Sequence, residues 1–115
     1  MNSTQAGRLF EVLGDETALT IFRRVHETPR SAKDLRETCD ASLKTIYRRL
    51  ELLQEVGLVS AVTQVDGEGN HYSAYATTVE QIEITVEPSE PDIEVAIHDG
   101  DDVNQFIGVW TELRN

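Results

Sequence analysis

Apolar residues recur along this chain with two different periods, and the change of period divides it. Leu9, Val12 and Leu13 fall at helical spacing over residues 5–13, and Gly14 can cap that helix. Asp15 can cap the next, which carries Ala18, Leu19, Ile21, Phe22 and Val25 to about His26 before Pro29. "SAKDL" at 31–35 reads as a capping box, Ser31 with Asp34, opening a short helix over 32–38. Ser42 caps a longer helix that runs to about Val56 and ends at Gly57. Beyond Gly57 the spacing becomes two. "LVSAVTQV" and "HYSAYATT" flank the turn "DGEGN", a β-hairpin. Ile82, Ile84 and Val86, then Ile93, Val95 and Ile97, alternate with polar or small residues and predict a second hairpin with one apolar and one acidic face. "DGDD" can start a last helix bearing Val103, Phe106, Ile107, Trp110 and Leu113.

Helix, helix, short helix, turn, long helix, hairpin is the winged helix-turn-helix order. The expected class is therefore α+β: a winged helix-turn-helix of three to four helices and a hairpin wing over residues 1–78, then a C-terminal β-hairpin and amphipathic helix over 79–115 for dimerisation or an accessory role. A chain of 115 residues is one domain with a small appendage.

Charge sharpens this picture. The chain holds 21 Asp+Glu against 10 Lys+Arg, net −11, yet residues 1–57 hold nine of each. Residues 58–115 hold twelve acidic residues and one basic, Arg114. Six of the ten basic residues lie within 30–49: Arg30, Lys33, Arg36, Lys44, Arg48 and Arg49. A local basic patch is a better guide to a polyanionic partner than the net charge. On the long helix Leu43, Ile46, Leu50 and Leu53 share one face, with Lys44, Arg48, Glu51 and Glu55 opposite. The outer face is basic in its first two turns, the end by which a recognition helix enters the major groove.

The candidate DNA-binding residues follow. Lys44 and Arg48 can donate to guanine or phosphate; Thr45 and Tyr47 can donate to phosphate or touch a thymine methyl. Arg49 sits nearer the core boundary, and Ser42 opens the helix. Arg30 and Lys33 can clamp the backbone. Of the wing, whose tip carries Asp66 and Glu68, Asn70 and His71 are the candidates.

"LGDETALTIFRRV" and "SAKDLRETCDASLKTIYRRLELLQEVGLV" together resemble the ArsR-type winged helix-turn-helix transcriptional regulators. Leu13, Gly14, Asp15, Thr17 and Leu19 match the start of that family's second helix. Ser42, Thr45, Ile46, Leu50, Leu53, Gly57, Leu58 and Val59 match or approximate its groove-facing helix. The resemblance spans about residues 8–77. It implies double-stranded DNA as partner and a homodimer paired through terminal helices: Leu9, Phe10 and Leu13, with Val12 beside them, and Phe106, Ile107, Trp110 and Leu113. Two recognition helices would then lie about 34 Å apart on one face of DNA. The same hydrophobic residues can instead only cover the protomer's own sheet. Ala18 stands where the family usually has Arg, and Tyr47 where a small hydroxyl is common. The metal-sensing members' Cys-any-Cys-Asp is met here by Glu37, Cys39 and Asp40, and one thiolate with one carboxylate is a poor soft-metal site.

No metal, cofactor or catalytic site is expected. His26, His71 and His98 show no ligand spacing, and Cys39 reads as a small buried residue. There is no phosphate loop and no nucleophile with its base. No apolar run approaches the roughly 20 residues of a membrane span, and the N-terminus lacks secretory signal character, so the expectation is cytoplasmic. The alternatives are a protein-interaction winged helix accessory to the transcription machinery, or a ligand-sensing regulator with a pocket under the C-terminal hairpin.

Two lysines against eight arginines and 21 carboxylates resemble the composition of proteins from salt-loving archaea. In molar salt the Debye length is about 3 Å, so the acidic half barely repels DNA. The expected outcome is loss of fold below about 0.5 M salt, as self-repulsion lengthens its reach. Circular dichroism against salt checks it, and full stability in dilute buffer overturns it.

Overall fold

The computed structural model describes residues 1, 3–89 and 92–100. The element order is α1 (Ser3–Leu13), α2 (Glu16–Glu27), α3 (Ala32–Thr38), α4 (Leu43–Glu55), β1 (Ser60–Val65), β2 (His71–Ala76), β3 (Val79–Val86) and β4 (Ile93–Asp99). This is an α+β, winged helix-turn-helix architecture. The helix expected after residue 100 lies outside the described residues. The chain divides into two compact units, residues 7–77 and residues 78 onwards together with the first six.

In the first unit α2, α3 and α4 each begin where a side chain satisfies an open amide. Asp15 accepts from the Ala18 amide at 2.8 Å, and Ser42 from the Thr45 amide at 3.2 Å. Ser31 and Asp34 form the full reciprocal capping box. The end of α4 is equally specified. The Leu58 amide donates to the Leu53 carbonyl at 2.9 Å and the Gly57 amide to Gln54 at 3.0 Å. Gly57 stands at φ +80° between them, a Schellman closure that an L side chain would strain.

The core is the set of apolar stripes turned inward by those helices. Leu9, Ile21, Leu35, Ile46, Leu50, Leu53 and Leu58 are its largest fully buried side chains. Burying each contributes about 1.5–3 kcal/mol. The helix α4 packs on both α2 and α3. Leu43, placed on the same stripe by spacing, is only half-buried, because it opens the helix at the edge of the core. The strands β1 and β2 pair antiparallel from Ser60↔Ala76 to Val65↔His71. Arg30 adds an isolated bridge to Tyr75, with amide-to-carbonyl bonds of 3.0 and 2.7 Å in the two directions. The segment between α2 and α3 is thereby tied to the wing.

In the second unit β3 and β4 pair so that Ile82 faces Ile97, Ile84 faces Val95, and Val86 faces Ile93. Alternation along both strands thus collects the apolar residues on one face. An irregularity between Val79 and Gln81 shifts the register by one. The shift turns Val79 to the side of Val95 and Ile97, and Val79 is buried. The opposite face is polar, with His98 and Glu83 3.5 Å apart. Near the hairpin's tip the apolar face is open: Ile84, Val86 and Ile93 are all exposed.

Candidate nucleic-acid interface

The burial of Ile46, Leu50 and Leu53 sets the rotation of α4 about its axis, and the outward face follows. Lys44, Tyr47, Arg48, Glu51, Gln54 and Glu55 are all exposed. The face is basic where the helix begins and acidic where it ends. The partial positive charge of the helix dipole falls at the basic end. Lys44 and Arg48 make no ion pair or hydrogen bond among the described residues, and the same holds for Lys33 and Arg36 on α3. Four cations on these two helices are therefore uncommitted. Of the four, Arg36 belongs to the basic patch of the sequence but is not among its DNA-contact candidates. Its signal was spacing: it follows Lys33 by three, one helical turn on the same flank.

The other basic residues of the patch are committed within the fold. Arg49 is partly buried, and its Nε donates to Asp15 Oδ2 at 2.8 Å, so it braces α4 against the start of α2. Burial pushes the Asp15 carboxyl up, but the Ala18 amide and Arg49 outweigh it and hold it below the ordinary range. Arg30 folds back along α2: its Nε donates to the Arg24 carbonyl at 3.0 Å and its Nη2 to Glu27 at 3.1 Å. It serves a helix end whose carbonyls lack intrahelical partners. Ser42 and Thr45 are joined hydroxyl to hydroxyl at 3.0 Å as part of the α4 cap.

At the wing tip Asp66 organises the turn. Its Oδ1 accepts from the Glu68 amide at 2.8 Å and the Asn70 amide at 2.9 Å, and Gly69 supplies φ +85°. The Asn70 and Glu68 amides hold the Asp66 carboxyl below its usual range. The Asn70 side chain lowers it further, whereas His71 is exposed with no partner among the described residues. Tyr75 on β2 lies close to Tyr47 of α4; burial, and then Tyr47, push its hydroxyl's pKa up.

Of the residues considered for pairing subunits, Leu9 is fully buried and Leu13 half-buried, which leaves Phe10 exposed on α1. Phe106, Ile107, Trp110 and Leu113 lie outside the described residues. Cys39 is buried at the end of α3, its Sγ 4.0 Å from the Thr38 hydroxyl. Among the described residues no three His, Cys, Asp or Glu side chains come together as a metal would need. None of the described helices is long and apolar enough to cross a membrane.

Residues 13–61 match a family described as a helix-turn-helix domain. The matched span runs from the last residue of α1 to the second residue of β1 and contains both α3 and α4. A helix-turn-helix of this kind points to a DNA-binding regulator. No curated protein matches the chain.

Asp15 gives this arrangement a measurable pH dependence. Its folded pKa lies below the unfolded value of about 3.9, so its contribution is fully present above pH 4 and lost as pH falls through the folded value. Urea unfolding from pH 5 to pH 2 is expected to show that loss in the native chain. Asp15→Asn keeps a capping oxygen and should flatten the profile. Asp15→Ala removes cap and pair together and should lose about 1–2 kcal/mol at pH 7.

Proposed function

We propose that this protein is a sequence-specific DNA-binding transcriptional regulator, acting as a homodimer on double-stranded DNA. The observation that carries the reading is the uncommitted quartet Lys33, Arg36, Lys44 and Arg48 on the helix-turn-helix pair. In a chain of net charge −11 these four keep their charge available while Arg30 and Arg49 are spent on the fold. Lys44 and Arg48, with Tyr47, enter the major groove; Lys33 and Arg36 meet phosphate. Ser42 and Thr45 reach the backbone through the helix's positive end. Arg49 positions α4 rather than touching bases, and Arg30 positions the wing. His71 and Asn70 remain the wing's contacts, limited by the acidic tip beside them. The ArsR-type resemblance supports double-stranded DNA as the partner, and no metal is assigned.

A specific observation favours a second reading, a winged helix that binds protein and never reads bases. Asp66 and Glu68 stand exposed at the wing tip, and Asp66 is held ionised. Against phosphate those charges oppose binding unless salt screens them. The two readings part in one experiment, in which promoter fragments selected from random duplexes by the native chain are titrated at several salt concentrations. Lys33→Ala or Arg36→Ala is expected to reduce the log–log salt slope by about one and to weaken all sequences alike. Arg48→Ala is expected to cost about 1–3 kcal/mol and to relax sequence preference. Unchanged binding in Lys44→Ala with Arg48→Ala sinks the groove reading.

The dimer contact is assigned to Phe10 on α1 and to the apolar residues beyond 100, with the open apolar face of β3 and β4 as further surface. Sedimentation is expected to give a dimer at micromolar concentration, and Phe10→Glu with Trp110→Glu a monomer. A native chain that sediments as a monomer there removes the assignment.

A further inference from the structure

A cleft of about 490 Å³ opens within the unit of residues 7–77, between α1, the start of α2 and α4 from Arg48 onwards. Its size is in the range of small-ligand sites. Its lining combines buried apolar side chains with charged ones. Val12, Ala18 and Val56, all buried, line it with the half-buried Leu52. Around them stand three arginines and three carboxylates, whose charges sum to zero.

Two of those cations are already matched. Arg49 pairs with Asp15 at 2.8 Å, and Arg8 with Glu55 at 3.7 Å. What is left is one guanidinium, Arg48, and one carboxylate, Glu11, neither of which has a partner among the described residues. A simple anion would leave Glu11 unanswered, and it would approach a chain of net charge −11. A simple cation would leave Arg48 unanswered. A small zwitterion with an apolar body answers both at no net charge.

We infer that this cleft binds a free α-amino acid with an apolar side chain. Arg48 takes the carboxylate, and Glu11 takes the ammonium, each through charge-assisted hydrogen bonds. The side chain covers Val12, Leu52 and Val56. The binding does not depend on the DNA reading. A consequence that rests on that reading is competition: an Arg48 held by ligand carboxylate is withdrawn from DNA, and the linkage is reciprocal.

The test uses the full chain without DNA, so its failure is separate from a failure to bind DNA. L-leucine and L-phenylalanine are titrated by calorimetry, with amide NMR shifts followed along α1 and α4. N-acetyl-L-leucine lacks the ammonium and L-leucinamide lacks the carboxylate. Saturable binding of at least one amino acid is expected, with shifts clustered at the cleft and each leucine analogue at least about tenfold weaker than L-leucine. In Glu11→Gln the difference between L-leucine and its N-acetyl form should disappear. In Arg48→Gln the difference between L-leucine and L-leucinamide should disappear. Helical circular dichroism confirms that each variant is folded, and Leu52→Trp, which fills the cleft while keeping it apolar, should abolish binding. No saturable response to either amino acid overturns the inference. So do analogues that bind as tightly as L-leucine, or shifts that cluster elsewhere.

Discussion

Ile46, Leu50 and Leu53 are withdrawn from water against α2 and α3, and that burial fixes how α4 is turned about its axis. A helix of 13 residues has no such preference of its own. Once the stripe is buried, Lys44, Tyr47 and Arg48 point outward at the start of the helix and Glu51 and Glu55 at its end. The pair of Arg49 with Asp15 adds a directional constraint to a non-directional one. Asp15 already caps α2, so one carboxylate sets where α2 begins and how α4 lies against it. The Gly57 closure stops α4 and turns the chain into β1.

The same economy explains how an acidic chain can present a basic surface. Intramolecular pairing sorts the cations. Those near a carboxylate or an open carbonyl are absorbed into the fold: Arg49 by Asp15, Arg30 by the end of α2, Arg24 by Glu27. Those on the outer flanks of α3 and the first half of α4 have no such neighbour among the described residues and stay available. Most of the negative charge lies after residue 57, and Glu83 and Glu94 fall on the polar face of the β3–β4 hairpin. That hairpin is amphipathic because every second residue shares a face, and its one irregularity restores Val79 to the apolar side.

Much of this was legible in the residues. Helix starts could be read because their signals are local: Asp15, Ser31 and Ser42 each bond an amide three residues on. The α4 stripe and the alternation in both hairpins could be read because burial imposes the period of each element. Less legible was which members of a basic patch are free. Arg48 and Arg49 are adjacent and chemically identical, and their fates diverge because 100° of helical rotation puts one in solvent and the other beside Asp15, 34 positions earlier. That the Arg30 guanidinium bonds the end of α2 is likewise not written in its neighbours.

The sequence by itself determined the elements, their order, their buried faces and the half of the chain that carries positive charge. Those properties come from neighbours a few residues apart, through capping bonds and burial periodicity. Only the tertiary structure decided which cations remain unpaired, how the α2–α3 segment joins the wing through Arg30 and Tyr75, and that a cleft opens between α1 and α4. These depend on residues far apart in the chain being brought within a few ångströms, and no local pattern specifies which charges will then find one another.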